Sequence, residues 1–217
     1  MALVLNGSND TITGLQINSA NIVDGSIVDA DISGMASSKL SGALPAISGA
    51  ALTGVGGKFA SYAVIADVKG SNADGGTFTT GAWRTRDLNT EISDADSIVS
   101  ISSNQFTLAA GSYCIIFSAQ AHQPNSHQTR LYNATTSANV QFGQAMYNSA
   151  SVSVTTASRG VARVTISGST VFEIQHRCAS TKTTFGLGVG GSGNMNWGGS
   201  AATDGAIYCT VEIYKEA

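Results

Sequence analysis

Two patterns of hydrophobic positions divide the chain. In the first fifty or so residues, Ile12, Ile17, Ile22, Ile27 and Ile32 fall on every fifth position, and Ile47 and Leu52 return to the same phase. A helix repeats near 3.6 and a half-buried strand at 2, so neither gives this spacing. A short fixed period marks a small unit that cannot bury its apolar residue alone and must stack on copies of itself. Those copies are successive coils of one chain or matching segments of neighbouring chains. In register the units read ANIVD, GSIVD and ADISG, with Ala20, Gly25 and Ala30 two places before the isoleucines, where a small residue lets backbone approach closely. About three clean units cannot form a free-standing solenoid. The ladder therefore reads as one chain's share of an intertwined stem, with the five isoleucines serving oligomerisation. MASSKLSGALPAISGAALTGVGG then loosens into Gly, Ala and Ser, and Gly-Val-Gly-Gly at 54–57 is the boundary between residues 1–57 and 58–217.

From Lys58 the pattern changes to short β-type segments separated by turn residues. Expected strands are FASYAVIADV (59–68), AWRTRDL (82–88), SIVSIS (97–102), FTL (106–108), SYCIIFSAQA (112–121), QTRLYNA (128–134), VQFGQAMY (140–147), SVTTASRGVARVTI (153–166), TVFEIQHRC (170–178), TFGLGV (184–189) and AIYCTVEIYK (206–215). Alternation predicts that Phe172, Ile174 and His176 face away from Val171, Glu173, Gln175 and Arg177. Near the end of the chain it sets Ile207, Cys209, Val211 and Ile213 against Tyr208, Thr210, Glu212 and Tyr214. No segment shows an amphipathic helix. Many short strands at this spacing give an all-β sandwich or barrel, and roughly 160 residues suffice to bury a core.

Composition sharpens this picture. Only 12% of the 217 residues are charged, against about 25% in an average soluble domain. The net charge of -3 and scattered Lys and Arg disfavour nucleic acid. Uncharged polar residues suit contacts between identical chains, where an unpaired charge is costly. No apolar run approaches the roughly 20 residues that span a bilayer, so membrane insertion is not expected. The N-terminus lacks the pattern of a signal peptide, which predicts a chain made in a cytosol and not exported by the standard route. Cys114, Cys178 and Cys209 are odd in number and far apart. They read as buried free thiols, with a single chance disulfide as the alternative.

Candidate chemistry is sparse, and no catalytic residues, metal site or cofactor are expected. His122 and His127 bracket a link expected to be a solvated loop, and no Cys or carboxylate cluster completes a metal set beside them. His176 reads as a hydrogen-bonded core or interface histidine. Asp87, Glu91, Asp94 and Asp96 read as turn formers rather than as the paired carboxylates of a glycosidase. Trp197, between Asn194, Asn196 and glycines, is a candidate for stacking on a sugar while the amides bind hydroxyls; the alternative is a plug on an oligomer axis. Asn125, His127, Arg130 and Tyr147, with Tyr132 beside them, form a second candidate ligand group. Trp83, beside Arg84 and Arg86, is expected in the core.

Two resemblances complete the reading. The five-residue units resemble the pentapeptide-repeat pattern. FTLAAGSYCIIFSAQA (106–121) resembles the central segment of C1q and tumour-necrosis-factor-like jelly rolls, and TRLYNATT, FEIQHRC and YCTVEIYK fit that fold's later strands. With AWRTRDLNTE they look like C1q-like tips of bacteriophage tail-fibre and other virion proteins, and LNGSNDTITGLQINSANIVDGSIVDADI looks like fibre-shaft sequence. The Gly-rich tract at 186–205 departs from the family by replacing a tighter loop. The resemblance implies a ten-stranded jelly-roll protomer in a homotrimer, acting without covalent chemistry as an adhesive tip for a host-cell surface glycan or protein. It implies a stem that docks on other virion proteins, with the particle assembled in the host cytoplasm. A capsid-decorating or head-fibre protein with the same knob is the alternative.

Overall fold

The computed structural model describes residues 58–70, 73–190 and 205–217. The stem isoleucines Ile12, Ile17, Ile22, Ile27 and Ile32, and the loop residues Asn194, Asn196 and Trp197, lie outside them. Among the described residues there is no helix, and the strands are β1 (Phe59–Lys69), β2 (Arg84–Thr85), β3 (Thr90–Ser93), β4 (Val99–Ser102), β5 (Gln105–Leu108), β6 (Gly111–His122), β7 (Asn125–Asn133), β8 (Ala138–Phe142), β9 (Met146–Asn148), β10 (Thr155–Ile166), β11 (Thr170–Cys178) and β12 (Ala206–Glu216). They form a jelly-roll-like sandwich of two antiparallel sheets. One has the order β10-β6-β12-β1-β3; the other runs β4-β5-β11-β7-β8, with β2 added to β11 and β9 to β7.

Alternation builds the core. Ile65, Ile115, Phe117, Val211 and Ile213 from the five-stranded sheet meet Phe106, Leu108, Leu131, Phe172 and Ile174 from the seven-stranded one, all at most 1% exposed. Each such side chain contributes about 1.5–3 kcal/mol of transfer free energy. Phe106 and Phe172 are cross-strand partners whose rings stack at 5.7 Å. Opposite Phe117, β10 carries Gly160, where an added Cβ would sit 2.1 Å from the Phe117 ring. The glycine therefore makes room for the aromatic.

Several local expectations change. The segment 140–147 is two strands, because Gly143 leaves the ladder and bonds Thr129 O at 2.9 Å. The segment 184–189 is a series of turns, and 90–93, which the acidic run had disguised, pairs with β1. In β12 the expected phase breaks. Asp67 pairs with Cys209 and Val68 with Ile207, so Tyr208 is a bulge residue. Tyr208 and Cys209 are both buried while Ile207 is 42% exposed. The Tyr208 ring lies where a side chain on Gly188 would have to be, 2.0 Å from its built Cβ.

Trp83 is not in the core; Arg86 is. Arg86 is 0% exposed. Its backbone N–H bonds Ile174 O in the seven-stranded sheet at 2.8 Å, and its guanidinium crosses the sandwich. Nη1 donates to Gln120 O at 3.3 Å, and Nη2 to Tyr208 O at 3.1 Å and Leu187 O at 2.9 Å. Nη2 also lies 3.8 Å from Asp67 Oδ2, and Lys69 Nζ lies 3.2 Å from Asp67 Oδ1. Burial pushes the Asp67 carboxyl up, against the opposing pull of Lys69 and Arg86. Arg86→Ala removes one partner of a buried pair and is expected to cost about 3–5 kcal/mol. Urea unfolding of the wild type and the variant measures this.

Candidate functional site

The outward positions of β7 and β11 make a polar and aromatic surface. Because His127, Thr129 and Leu131 point inward, Gln128, Arg130 and Tyr132 point out. They pair with Arg177, Gln175 and Glu173 respectively. Trp83, just before β2, lies half-buried on this surface. The Arg130 guanidinium sits 4.3 Å from its ring and that of Arg177 4.8 Å, and Arg130 is also 4.7 Å from the Tyr132 ring. Phe142, the β8 partner of Arg130, stacks near Trp83 at 6.0 Å. Arg130 donates from Nε and Nη2 to Gln175 Oε1 at 2.8 and 2.5 Å. Gln175 Nε2 passes a hydrogen bond to Glu173 Oε1, whose other oxygen accepts from Gln105 at 2.9 Å. Arg177 Nη2 donates to Gln128 Oε1 at 3.3 Å. Beside Arg177 a cavity of about 340 Å³ opens, lined by Ser126, His127, Gln128, Ala145, Arg177, Cys178 and Ala179.

The candidate residues named from sequence separate here. Arg130 sits at the centre of the aromatic cluster. Tyr147, 69% exposed, is paired with Ser126 and so shares the same outward face. Asn125 is a turn residue at φ 60°, donating to Ser180 Oγ at 2.7 Å and accepting from Ala150 N at 2.9 Å. The link bracketed by His122 and His127 is not a solvated loop. Only Gln123 and Pro124 separate β6 from β7, and both histidines are buried. Asp94 forms a turn, its two oxygens accepting from Ile98 N and Val99 N at 2.8 and 2.9 Å. All three cysteines are free; Cys178 and Cys209 are buried and Cys114 is half-buried on the outer face of the five-stranded sheet. Among the described residues no group of three or more His, Cys, Asp or Glu could hold a metal ion. The Trp83 cluster was hidden by treating a tryptophan as core. Leu88, buried and of the same parity as Arg86, was the available signal that 86 and 88 face inward.

His127 bonds inward rather than to a ligand. Its Nδ1 lies 2.9 Å from His176 Nε2 and its Nε2 2.7 Å from Thr156 Oγ1 on β10. Among the described residues His176 Nδ1 has no hydrogen-bond partner. The favoured tautomer follows from this. If His127 donates from Nε2 to Thr156 and accepts at Nδ1 from His176, the orphan is a bare acceptor rather than a buried N–H, which is the cheaper fault. Phe78 packs on the His176 ring at 4.6 Å. Burial, then the Arg86 charge, lowers the His127 pKa from the ordinary 6.5 to about 4, and burial puts His176 well below 6.5. Neutral imidazoles are thus the folded form, and unfolding takes up protons below the ordinary value. Folding stability is expected to be full above pH 6.5 and to fall as pH drops toward about 4. Urea midpoints across that range should decline in the wild type and change less in His127→Gln.

The opposite face of the molecule is different in kind. On the outer side of the five-stranded sheet, Val161, Ile116, Glu212 and Val64 form one row across β10, β6, β12 and β1. Arg163, Cys114, Tyr214 and Tyr62 form the next. Val161 is 59% and Tyr62 41% exposed. Tyr214 Oη donates to Glu212 Oε2 at 2.9 Å, and Arg163 chelates Glu216 at 2.7 and 2.6 Å, so the charges near this surface are largely matched. β10, twelve residues long, is an edge strand. A groove of about 640 Å³ beside it is lined by Ile116, Phe142, Gly143, Gln144, Arg159, Gly160 and Val161.

No family model matches the chain, and no curated protein matches it. Among solved structures it is similar to the globular domain of zebrafish complement 1qA protein, at 17% identity and TM-score 0.44, covering 71% of this chain and 95% of that one. It is similar to murine APRIL at 9% identity and TM-score 0.43, covering 71% and 98%. It is also similar to PRD1 vertex protein P5 at 12% identity and TM-score 0.47, covering 74% and 100%.

Proposed function

We propose that the chain is a structural protein of a virion that self-associates, three copies to a knob, and attaches the particle to a host-cell surface. The observation that carries this reading is the apolar outer face of the five-stranded sheet, with Tyr62, Val64, Ile116 and Val161 on it and the long edge β10 beside it. Exposed apolar side chains gathered on one face mark an interface, and the part of the β10 edge not taken by Gln144 invites a covering partner. An edge of one copy set against the face of the next is a heterologous contact, which closes into a ring when the rotation allows. Three copies is the number the sequence resemblance implies. In this reading residues 1–57 dock the knob to other virion proteins, and the isoleucine ladder supplies mutual burial among the three stems. No covalent chemistry takes part.

Light scattering on the full chain is expected to give three times the 22.1 kDa protomer mass. Val161→Glu, at an exposed position, should return the protomer mass while leaving the circular dichroism spectrum unchanged. A monomeric wild type rules out the trimer. The purified protein should also compete with virions for adsorption to host cells, and electron microscopy of labelled particles places it on tail or capsid.

A further inference from the structure

The seven-stranded sheet faces away from the surface assigned to self-association, and its outward cluster has an unmatched charge. We propose that the Arg130–Trp83–Arg177 cluster and the cavity beside it bind an acidic saccharide, a sugar chain carrying carboxylate or sulfate groups; this rests on the attachment reading and names the ligand class. Arg130 and Arg177 are both held within 5 Å of one indole ring, at 4.3 and 4.8 Å. Two like charges gathered on one ring repel unless an anion lies between them. Among the described residues neither guanidinium makes an ion pair, nor does neighbouring Arg84. The acid on this face, Glu173, is 7% exposed, and its two oxygens are taken by Gln105 and Gln175. This concentration of positive charge stands on a chain of net charge -3.

Geometry then selects the kind of anion. Stacking uses the flat face of a guanidinium and leaves its in-plane N–H groups free to grip a carboxylate or sulfate. Arg177 spends one of these groups, on Gln128, and Nη1 of Arg130 has no partner among the described residues. The adjoining cavity offers the Ser126 hydroxyl for a sugar's hydroxyls and Ala145 and Ala179 for its C–H face, while the Gln128 amide is held by Gly143 O and Arg177. Tyr147, exposed and paired with Ser126, adds an aromatic surface on the same face. A nucleic acid strand would need a longer basic track than two arginines on one ring. Because the cluster lies on the sheet opposite the self-association face, each knob presents three copies of it and gains by avidity.

The test is titration calorimetry of the full chain with four probes: an oligogalacturonate, its methyl ester, a heparin-derived sulfated oligosaccharide and a single-stranded DNA oligomer. The acidic sugars are expected to bind at least about tenfold more tightly than the methyl ester and the DNA, and to weaken as salt rises. Arg177→Gln and Arg130→Gln should each lower that affinity about tenfold and erase much of the salt dependence, with melting temperature and mass unchanged. Trp83→Phe, which keeps a ring, should retain part of it. The proposal is overturned if neither acidic sugar binds, if ester and acid bind alike, if DNA binds best, or if the arginine variants leave affinity intact. Adsorption assays separate the two layers. A protein that blocks virion adsorption without binding acidic sugars keeps the attachment reading and loses this site. One that binds the sugars without blocking adsorption does the reverse.

Discussion

A fully buried guanidinium is costly unless most of its donors are taken up. At Arg86 the two terminal nitrogens, though not Nε, meet that need by joining the two sheets. The residue enters from the edge of β11, yet its donors end on carbonyls of β6, β12 and the turn at Leu187, with Asp67 of β1 beyond. An ion in a low-dielectric interior is tolerated only when paired and hydrogen-bonded. Those partners are therefore fixed in position, including the Tyr208 bulge whose carbonyl is one of them. The same charge acts further along the seam. It helps keep His127 and His176 neutral, and their mutual hydrogen bond, with Thr156, ties β7 and β11 to β10. One end of the sandwich is thus held by directional polar contacts, the other by Phe106, Phe117, Phe172 and their apolar neighbours.

Strand alternation separates two surfaces as well as two environments. Each outward row is set by what must face inward, so burying Leu131 and Ile174 places Arg130 and Gln175 outside. The five-stranded sheet shows valine, isoleucine and tyrosine, suited to an apolar contact with another protein surface. The seven-stranded sheet shows arginine, glutamine and stacked rings, suited to a polar ligand. Association through one therefore leaves the other open.

Alternation is also what made the fold legible in the sequence. β6 and β11 were readable to within a residue because both keep period two for nine residues or more. The failures have physical causes. A bulge reverses parity without changing composition, so Tyr208 and Ile207 were assigned to the wrong sides. A buried arginine and a surface tryptophan invert the usual partition, so Arg86 and Trp83 exchanged places. That exchange concealed the candidate site, because residues from β7, β11 and the approach to β2 meet only through strand register. His127 looked like loop because a two-residue turn between long strands leaves little trace in polarity. The resemblance to C1q-like jelly rolls implied a sandwich, but the strand order, a long-range property, was not legible from local pattern.

That order has a consequence for how the protein is made. β12 is far along the chain from both of its neighbours, yet it lies in the middle of its sheet, with β6 on one side and β1 on the other. While residue 216 is still inside the ribosome, β1 and β6 have no strand between them, and the inner face of that sheet lacks Val211 and Ile213. Contacts of such long sequence separation form late and slowly. The rows of the outer face come into register only when β12 inserts. A protomer therefore offers that surface to partners only once β12 has inserted.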